Sequence, residues 1–237
     1  MLTLLILQFI AHVLADFIFQ PQQWCEKKDE KIFSTVHLYH TLIVFGLSWL
    51  CSMQLAFWWA ALVIATVHFL FDILKSILSK RQKLVRYLFF ADQTLHLAVI
   101  VMVICWWFST VQTIITVQTI GLPDMIEPHR LLVILSFLLC TKPANIVIRE
   151  ILKSFEISVS DPADTNELLN AGKLIGSLER IISLTLILAN QFAAVGFIIA
   201  AKSLLRFRDT ATARTEYLLI GTLLSFGIAI LLGIACR

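Results

Sequence analysis

The sequence predicts an all-α, polytopic membrane bundle of about eight transmembrane helices, with the N- and C-termini on the outer side. Three observations predict it. Of the 237 residues 59% are hydrophobic and only 15% charged, where a soluble domain carries about 25% charged residues. The mean hydropathy is +0.85. Apolar runs near the roughly 20 residues needed to cross a bilayer recur along the chain, and basic residues gather in every second connection between them.

The elements follow in order. The first predicted helix covers Leu2–Phe19; it lacks the basic leading region of a cleavable signal and reads as a retained helix. The second covers Val36–Cys51, the third Leu55–Leu78 and the fourth Leu88–Phe108. The stretch Ser109–Arg130 holds Gly121, Pro123 and Pro128, and its Thr/Val/Ile-rich tract suits a short hairpin or an interfacial segment. The fifth helix covers Leu131–Leu152 with a kink at Pro143. A polar connection, Lys153–Asn170, leads to a sixth helix over Ala171–Ala189. A turn at Asn190-Gln191 precedes the seventh, Phe192–Phe207, although Lys173–Phe207 also reads as one long bent unit. The eighth covers Tyr217–Ala235. This divides the chain into a four-helix half (1–108), an extracytoplasmic loop (109–130) and a second four-helix half (131–237).

Loop charge orients the bundle. Lys27, Lys28 and Lys31 follow the first helix; Lys80, Arg81, Lys83 and Arg86 follow the third; Arg149 and Lys153 follow the fifth; Arg206, Arg208 and Arg214 follow the seventh. The alternate connections carry almost none, so the basic ones are cytoplasmic. The net charge of +3 is too small to argue for nucleic acid. The five cysteines form no CxxC pair and read as small apolar fillers.

Ionisable residues inside apolar segments are costly, which makes them functional candidates. Five of the six histidines lie in the first hundred residues. His12 and Asp16, His68 and Asp72, and Asp92 and His96 are spaced i,i+4, and His37 and His40 are spaced i,i+3, so each pair shares one helix face. Given the orientation, all four groups fall within about 5–15 Å of the inner boundary at ~1.5 Å rise per residue. Five imidazoles and three carboxylates suffice for one or two divalent ions, and this donor set suits Zn, Fe or Mn. The expected metal ligands are therefore His12, Asp16, His37, His40, His68, Asp72, Asp92 and His96, with Asp16, Asp72 and Asp92 as catalytic carboxylates. Gln20, Lys75 and Gln93 are expected to support the ligands or touch substrate.

Each group also has a plainer reading: a packed histidine, an Asp72–Lys75 ion pair, a pairing of Asp16 with a basic loop side chain, or an Asp92 that complements a helix dipole. In the second half Gly172 and Gly176 form a small-residue packing motif. Glu179 and Arg180 need partners on other helices, with Lys202 and Glu216 the natural choices. Arg180, Lys202 and Arg206 equally suit an anionic head group or phosphate.

The strings His12-x-x-x-Asp16-x-x-x-Gln20, His68-x-x-x-Asp72-x-x-Lys75 and Asp92-Gln93-x-x-His96, with the His37/His40 pair, resemble a bacterial integral-membrane family known only as a domain of unknown function. The strings around Gly172–Arg180, Ala201–Phe207 and Glu216–Thr222 look like that family as well. In ligand style the first half is also similar to membrane-bound metal-dependent hydrolases of the YdjM type. The resemblance implies a multi-pass protein of the bacterial inner (cytoplasmic) membrane. No GxSxG, HExxH, Walker A or Rossmann glycine pattern is present.

The function expected first is a metal-dependent hydrolase at the cytoplasmic face, acting on a lipid or lipid-linked phosphate, with one or two divalent ions as cofactor. A di-iron lipid oxidase ranks lower because its usual ligand set is richer in histidine. The alternatives are a metal-ion or proton-coupled transporter, and a non-enzymatic sensor or partner protein. Membrane lipid is the expected partner and nucleic acid is not; a homo-oligomer stays open.

Overall fold

The computed structural model describes residues 1–30, 32–80, 85–114, 126–155, 166–206 and 212–237. Every regular element among them is helical. The chain divides into two compact units, Met1–Leu135 and Ser136–Arg237.

In the first unit α1 covers Leu2–Val13 and continues as a wider π-turn over Leu14–Ile18, closed by Phe19 N–H donating to the Leu14 carbonyl at 2.8 Å. Pro21 ends this helix, since the residue before a proline avoids helical geometry. The chain then turns by 82° into α2, Gln22–Glu30, a helix the sequence reading treats as a connection. α3 covers Thr35–Ser52. Ser34 and His37 build a capping box at its start, and Met53 ends it in the left-handed region at φ 53°. A 3₁₀ turn, Leu55–Phe57, leads into α4, Trp58–Leu78, and α5 runs from Val85 to Ile114. α6, Pro128–Leu139, begins after the 115–125 stretch, so the hairpin expected there lies outside the described residues, except that 110–114 are helical.

The core of this unit shows why α1, α3, α4 and α5 come together. Ala60, Ala61 and Ala65 on α4 are fully buried, and such small side chains let neighbouring helices approach closely. Val99, Ile100, Val103 and Ile104 of α5 fill the space opposite, and Trp107 meets Phe57 edge-on at 5.1 Å between ring centres. The polar residues gather at one end of this core. Its outside is apolar: Leu50 is 70%, Leu55 84% and Met102 61% exposed.

In the second unit the expected kink at Pro143 is a full break. α7, Lys142–Ser154, starts three residues after α6 ends and is bent from it by 54°. α8 covers Asn166–Leu188, and Asn190 at φ 62° turns the chain into α9, Phe192–Arg206. The described part of the Lys173–Phe207 stretch is thus two helices joined at the Asn190-Gln191 turn. α10 covers Thr212–Ala235; at Gly233 an added Cβ would meet Ile187 Cγ2 at 2.6 Å, so only glycine permits this approach to α8.

Two described segments, Leu55–Leu78 and Tyr87–Thr110, are long and apolar enough to cross a membrane. Counting each bent pair, α1 with α2 and α6 with α7, as one span raises this to four. Phe192–Leu204 and Leu219–Ala235 are shorter apolar helices. α3, which carries both His37 and His40, is not among the segments long and apolar enough.

Candidate metal centre

Four helices of the first unit each present one polar turn at the same end of the core. α1 and its π-turn supply His12 and Asp16, α3 supplies His40, α4 supplies His68 and Asp72, and α5 supplies Asp92 and His96. The π-turn matters locally: it begins between His12 and Asp16, so the pair departs from ideal i,i+4 geometry. Such widened turns recur at functional sites because they re-aim a side chain.

The centre of the cluster is Asp16 Oδ1. It is buried and accepts no hydrogen bond. Three imidazole nitrogens surround it: His40 Nε2 at 3.4 Å, His68 Nε2 at 3.5 Å and His12 Nδ1 at 3.8 Å. Two ligands bound at ~2.0–2.2 Å to one tetrahedral ion lie about 3.3–3.6 Å apart, close to these separations. His40 Nε2 and His68 Nε2 also face each other at 2.9 Å, so one donates to the other. The donors are imidazole and carboxylate with no thiol among them, a set that fits Zn, Fe or Mn.

Around this point the neighbours hold the ligands in place. The Gln93 amide oxygen lies 3.2 Å from His12 Nε2, turning Nδ1 toward Asp16. Its amide nitrogen donates to Asp16 Oδ2 at 3.4 Å and Asp92 Oδ2 at 3.3 Å. Asp72 Oδ2 lies 3.8 Å from both His40 Nε2 and His68 Nε2. The His96 ring stacks on His68 with 4.0 Å between ring centres.

Two lysines complete the electrostatics. Lys28 of α2 reaches down to Asp72, and Lys75 pairs with Asp92 Oδ2 at 2.7 Å. The Gln20 amide, turned so that its nitrogen donates to the Asp16 carbonyl at 3.2 Å, accepts from Lys28 Nζ at 2.8 Å. Two ammonium groups thus face three carboxylates, and among the described residues Asp16 is the one aspartate of the cluster without a lysine or arginine beside it.

Seven of the eight sequence-predicted ligands meet here. His37 does not join them. Its Nδ1 accepts from the Ser34 backbone N–H at 3.2 Å, and its Nε2 lies 3.2 Å from Ser76 Oγ, so both nitrogens serve the start of α3 and its packing on α4. The i,i+3 Asp72–Lys75 pair does not form either, because Lys75 bonds across to α5. Asp92 sits beyond the first turn of α5, which removes its dipole reading. Lys28 was legible only as loop charge; Pro21 followed by Gln22-Gln23-Trp24 is the helix-start signal that places it on α2. Gln8 and Ser48, hydrogen-bonded to each other at 2.6 Å one layer deeper, also escaped the sequence reading. With His12, His68 and His96 they border a small cavity.

The second-unit candidates are committed elsewhere. The buried Arg180 guanidinium donates to the carbonyls of Cys140 at 2.8 Å and Thr141 at 3.4 Å, to Asn145 Oδ1 at 2.6 Å, and to Ser177 and Ser225 hydroxyls at 3.2 and 2.8 Å. Its natural-choice partner, Glu216, has a side chain outside the described residues, as does Arg206. Lys202 pairs with Glu179, as the sequence suggests.

Residues 4–121 match the family model described as "Protein of unknown function (DUF3307)". The matched segment contains every residue of the cluster, including Lys28 and Lys75, and excludes the Gly172–Arg180, Ala201–Phe207 and Glu216–Thr222 strings. No curated protein and no solved structure matches the chain.

Proposed function

We propose that the chain is a membrane-embedded, metal-dependent hydrolase of the bacterial inner membrane that acts at the cytoplasmic face on a lipid or lipid-linked phosphate. The observation that carries the reading is Asp16 Oδ1: a buried carboxylate oxygen with no hydrogen bond, ringed by imidazole nitrogens from three helices. A divalent ion held by His12, Asp16, His40 and His68 would satisfy it. Such an ion supplies Lewis acidity and makes water a stronger nucleophile near neutral pH.

The residues of the chain account for the rest. Asp16, Asp72 and Asp92 are the carboxylates able to take the proton released as water adds to phosphorus, while the ester oxygen leaves and is protonated. Lys28 and Lys75 bring positive charge beside the centre, which favours an anionic substrate. The ligand style shared with the YdjM-type hydrolases points the same way.

The membrane setting rests on the many large apolar side chains exposed on the outside of the helices, and on charged residues buried at one end of an apolar core. The eight-span arrangement with both termini outside, and the division at 1–108, 109–130 and 131–237, rest on the alternation of loop charge.

The test is metal analysis and hydrolysis together. Purified protein is expected to hold a divalent ion that Asp16→Asn with His68→Ala removes, and to release phosphate from a lipid-linked phosphate in mixed micelles only when loaded. Metal-free protein, with the double variant behaving as wild type, would sink the metal reading. Ion uptake into proteoliposomes without phosphate release would instead establish the transporter.

A further inference from the structure

We infer that Asp72, Asp92 and His96 form a second divalent-cation seat beside the first, which Lys28 and Lys75 hold closed. The inference rests on the reading of His12, Asp16, His40 and His68 as a metal centre and extends it. One ligand atom from each of Asp72, Asp92 and His96 lies within 4.8 Å of the others, and all three side chains are buried.

His96 points to a ligand. It is 3% exposed, and neither of its ring nitrogens has a hydrogen-bond partner. Two bare nitrogens on a buried ring are costly unless something binds them. Its Nδ1 faces Asp92 Oδ1 at 3.8 Å, while Lys75 occupies the other oxygen, Oδ2. Asp92 therefore has one oxygen turned to a lysine and one to the seat. Asp72 Oδ2 carries Lys28 and also faces His40 and His68, which joins the two seats through one carboxylate.

Charge makes the exchange feasible. Withdrawing the Lys75 ammonium as a divalent ion enters changes the charge of the cluster by one unit, facing the carboxylates of Asp72 and Asp92, and a small change is what a buried site tolerates. Each lysine also has somewhere to go. The Lys75 side chain is 33% exposed and can swing outward. Lys28 keeps the Gln20 amide oxygen as a partner. Permanent structural ion pairs would predict the opposite: removing a lysine would leave a bare carboxylate and gain no ion.

The experiment is a Mn²⁺ titration of the full-length, detergent-purified protein, read by bound stoichiometry and electron paramagnetic resonance. Wild type is expected to fill the first seat with a magnetically isolated ion. Lys75→Met is expected to bind a second ion at least about tenfold more tightly, a gain of roughly one tenfold step in the equilibrium constant, with the signature of a spin-coupled pair. Lys75→Arg keeps a cation on Asp92 and is expected to show no gain. Adding His96→Ala to Lys75→Met should abolish the second ion and the coupling while sparing the first.

A Lys75→Met protein that binds only one isolated ion overturns the second seat and leaves the first standing. Should Lys75→Met not fold, wild type at millimolar Mn²⁺ decides. A weak coupled pair that His96→Ala removes supports the seat, and an isolated ion at every concentration overturns it. Wild type that binds no ion at all overturns the first centre, a result distinct from the others.

Discussion

Among single residues, Gln93 does the most for its size. One amide accepts from His12 and donates to both Asp16 and Asp92, so it sets the ring orientation of one ligand and the carboxylate plane of two others. Removing such a supporting contact typically costs about 10–100-fold in metal affinity. Gln93→Ala is therefore expected to weaken the first ion by about that factor while leaving the helical content unchanged, as read by competition with a chelator and by circular dichroism. An unchanged affinity would mean that packing alone orients His12. His37 shows the limit of spacing arguments at this scale. It shares a helix face with His40, yet Ser34 sits where it can claim the ring for the capping box, and no pattern of histidines alone foretells which demand wins.

Among elements, the α6–α7 break and the π-turn of α1 are two departures from regular helix among the described residues. Pro143 lacks an N–H and so cannot pair the carbonyl four residues before it, that of Leu139. Arg180 braces the break by donating to the carbonyl of Cys140, just past the partial negative end of α6, and to that of Thr141, the N-cap of α7. No carboxylate among the described residues lies within ion-pairing distance of it, so these dipoles and the neighbouring amide and hydroxyls carry the charge. Arg180→Met is expected to lower the stability of the second unit by about 3 kcal/mol or more, because hydrogen bonds to a charged donor are worth ~1.5–3 kcal/mol each and the Cys140 carbonyl would lose its partner. Thermal unfolding in detergent measures it. Arg180→Lys should recover little, since an ammonium cannot reproduce the planar fork. A stability equal to wild type for Arg180→Met would show that the break needs no such brace.

For the whole molecule, the question is which side each polar layer faces. Cys25 on α2 is exposed, and Cys51 lies at the far end of α3. α3 is 18 residues long, about 27 Å at ~1.5 Å per residue. If α3 spans the membrane as the loop charges imply, an impermeant thiol reagent should label Cys25 only from the cytoplasmic side and Cys51 only from the other. This is best read in variants that keep one of the two cysteines. Labelling of both from one side would remove α3 from the spans and break the alternation on which the orientation rests.

Hydropathy alone determined the helical class and most helix centres, and helical spacing singled out the eight ligand candidates, seven of which the structure brings together on α1, α3, α4 and α5. They did so because burial cost and helical periodicity are local properties of a sequence. Partner choice was decided only by the tertiary structure. Whether Lys75 bonds to Asp72 or Asp92, whether Lys28 is loop charge or a buried counterion, and whether Arg180 grips an anion or a broken helix all depend on which helix lies opposite. That is a matter of distance through space, to which spacing along the chain is blind.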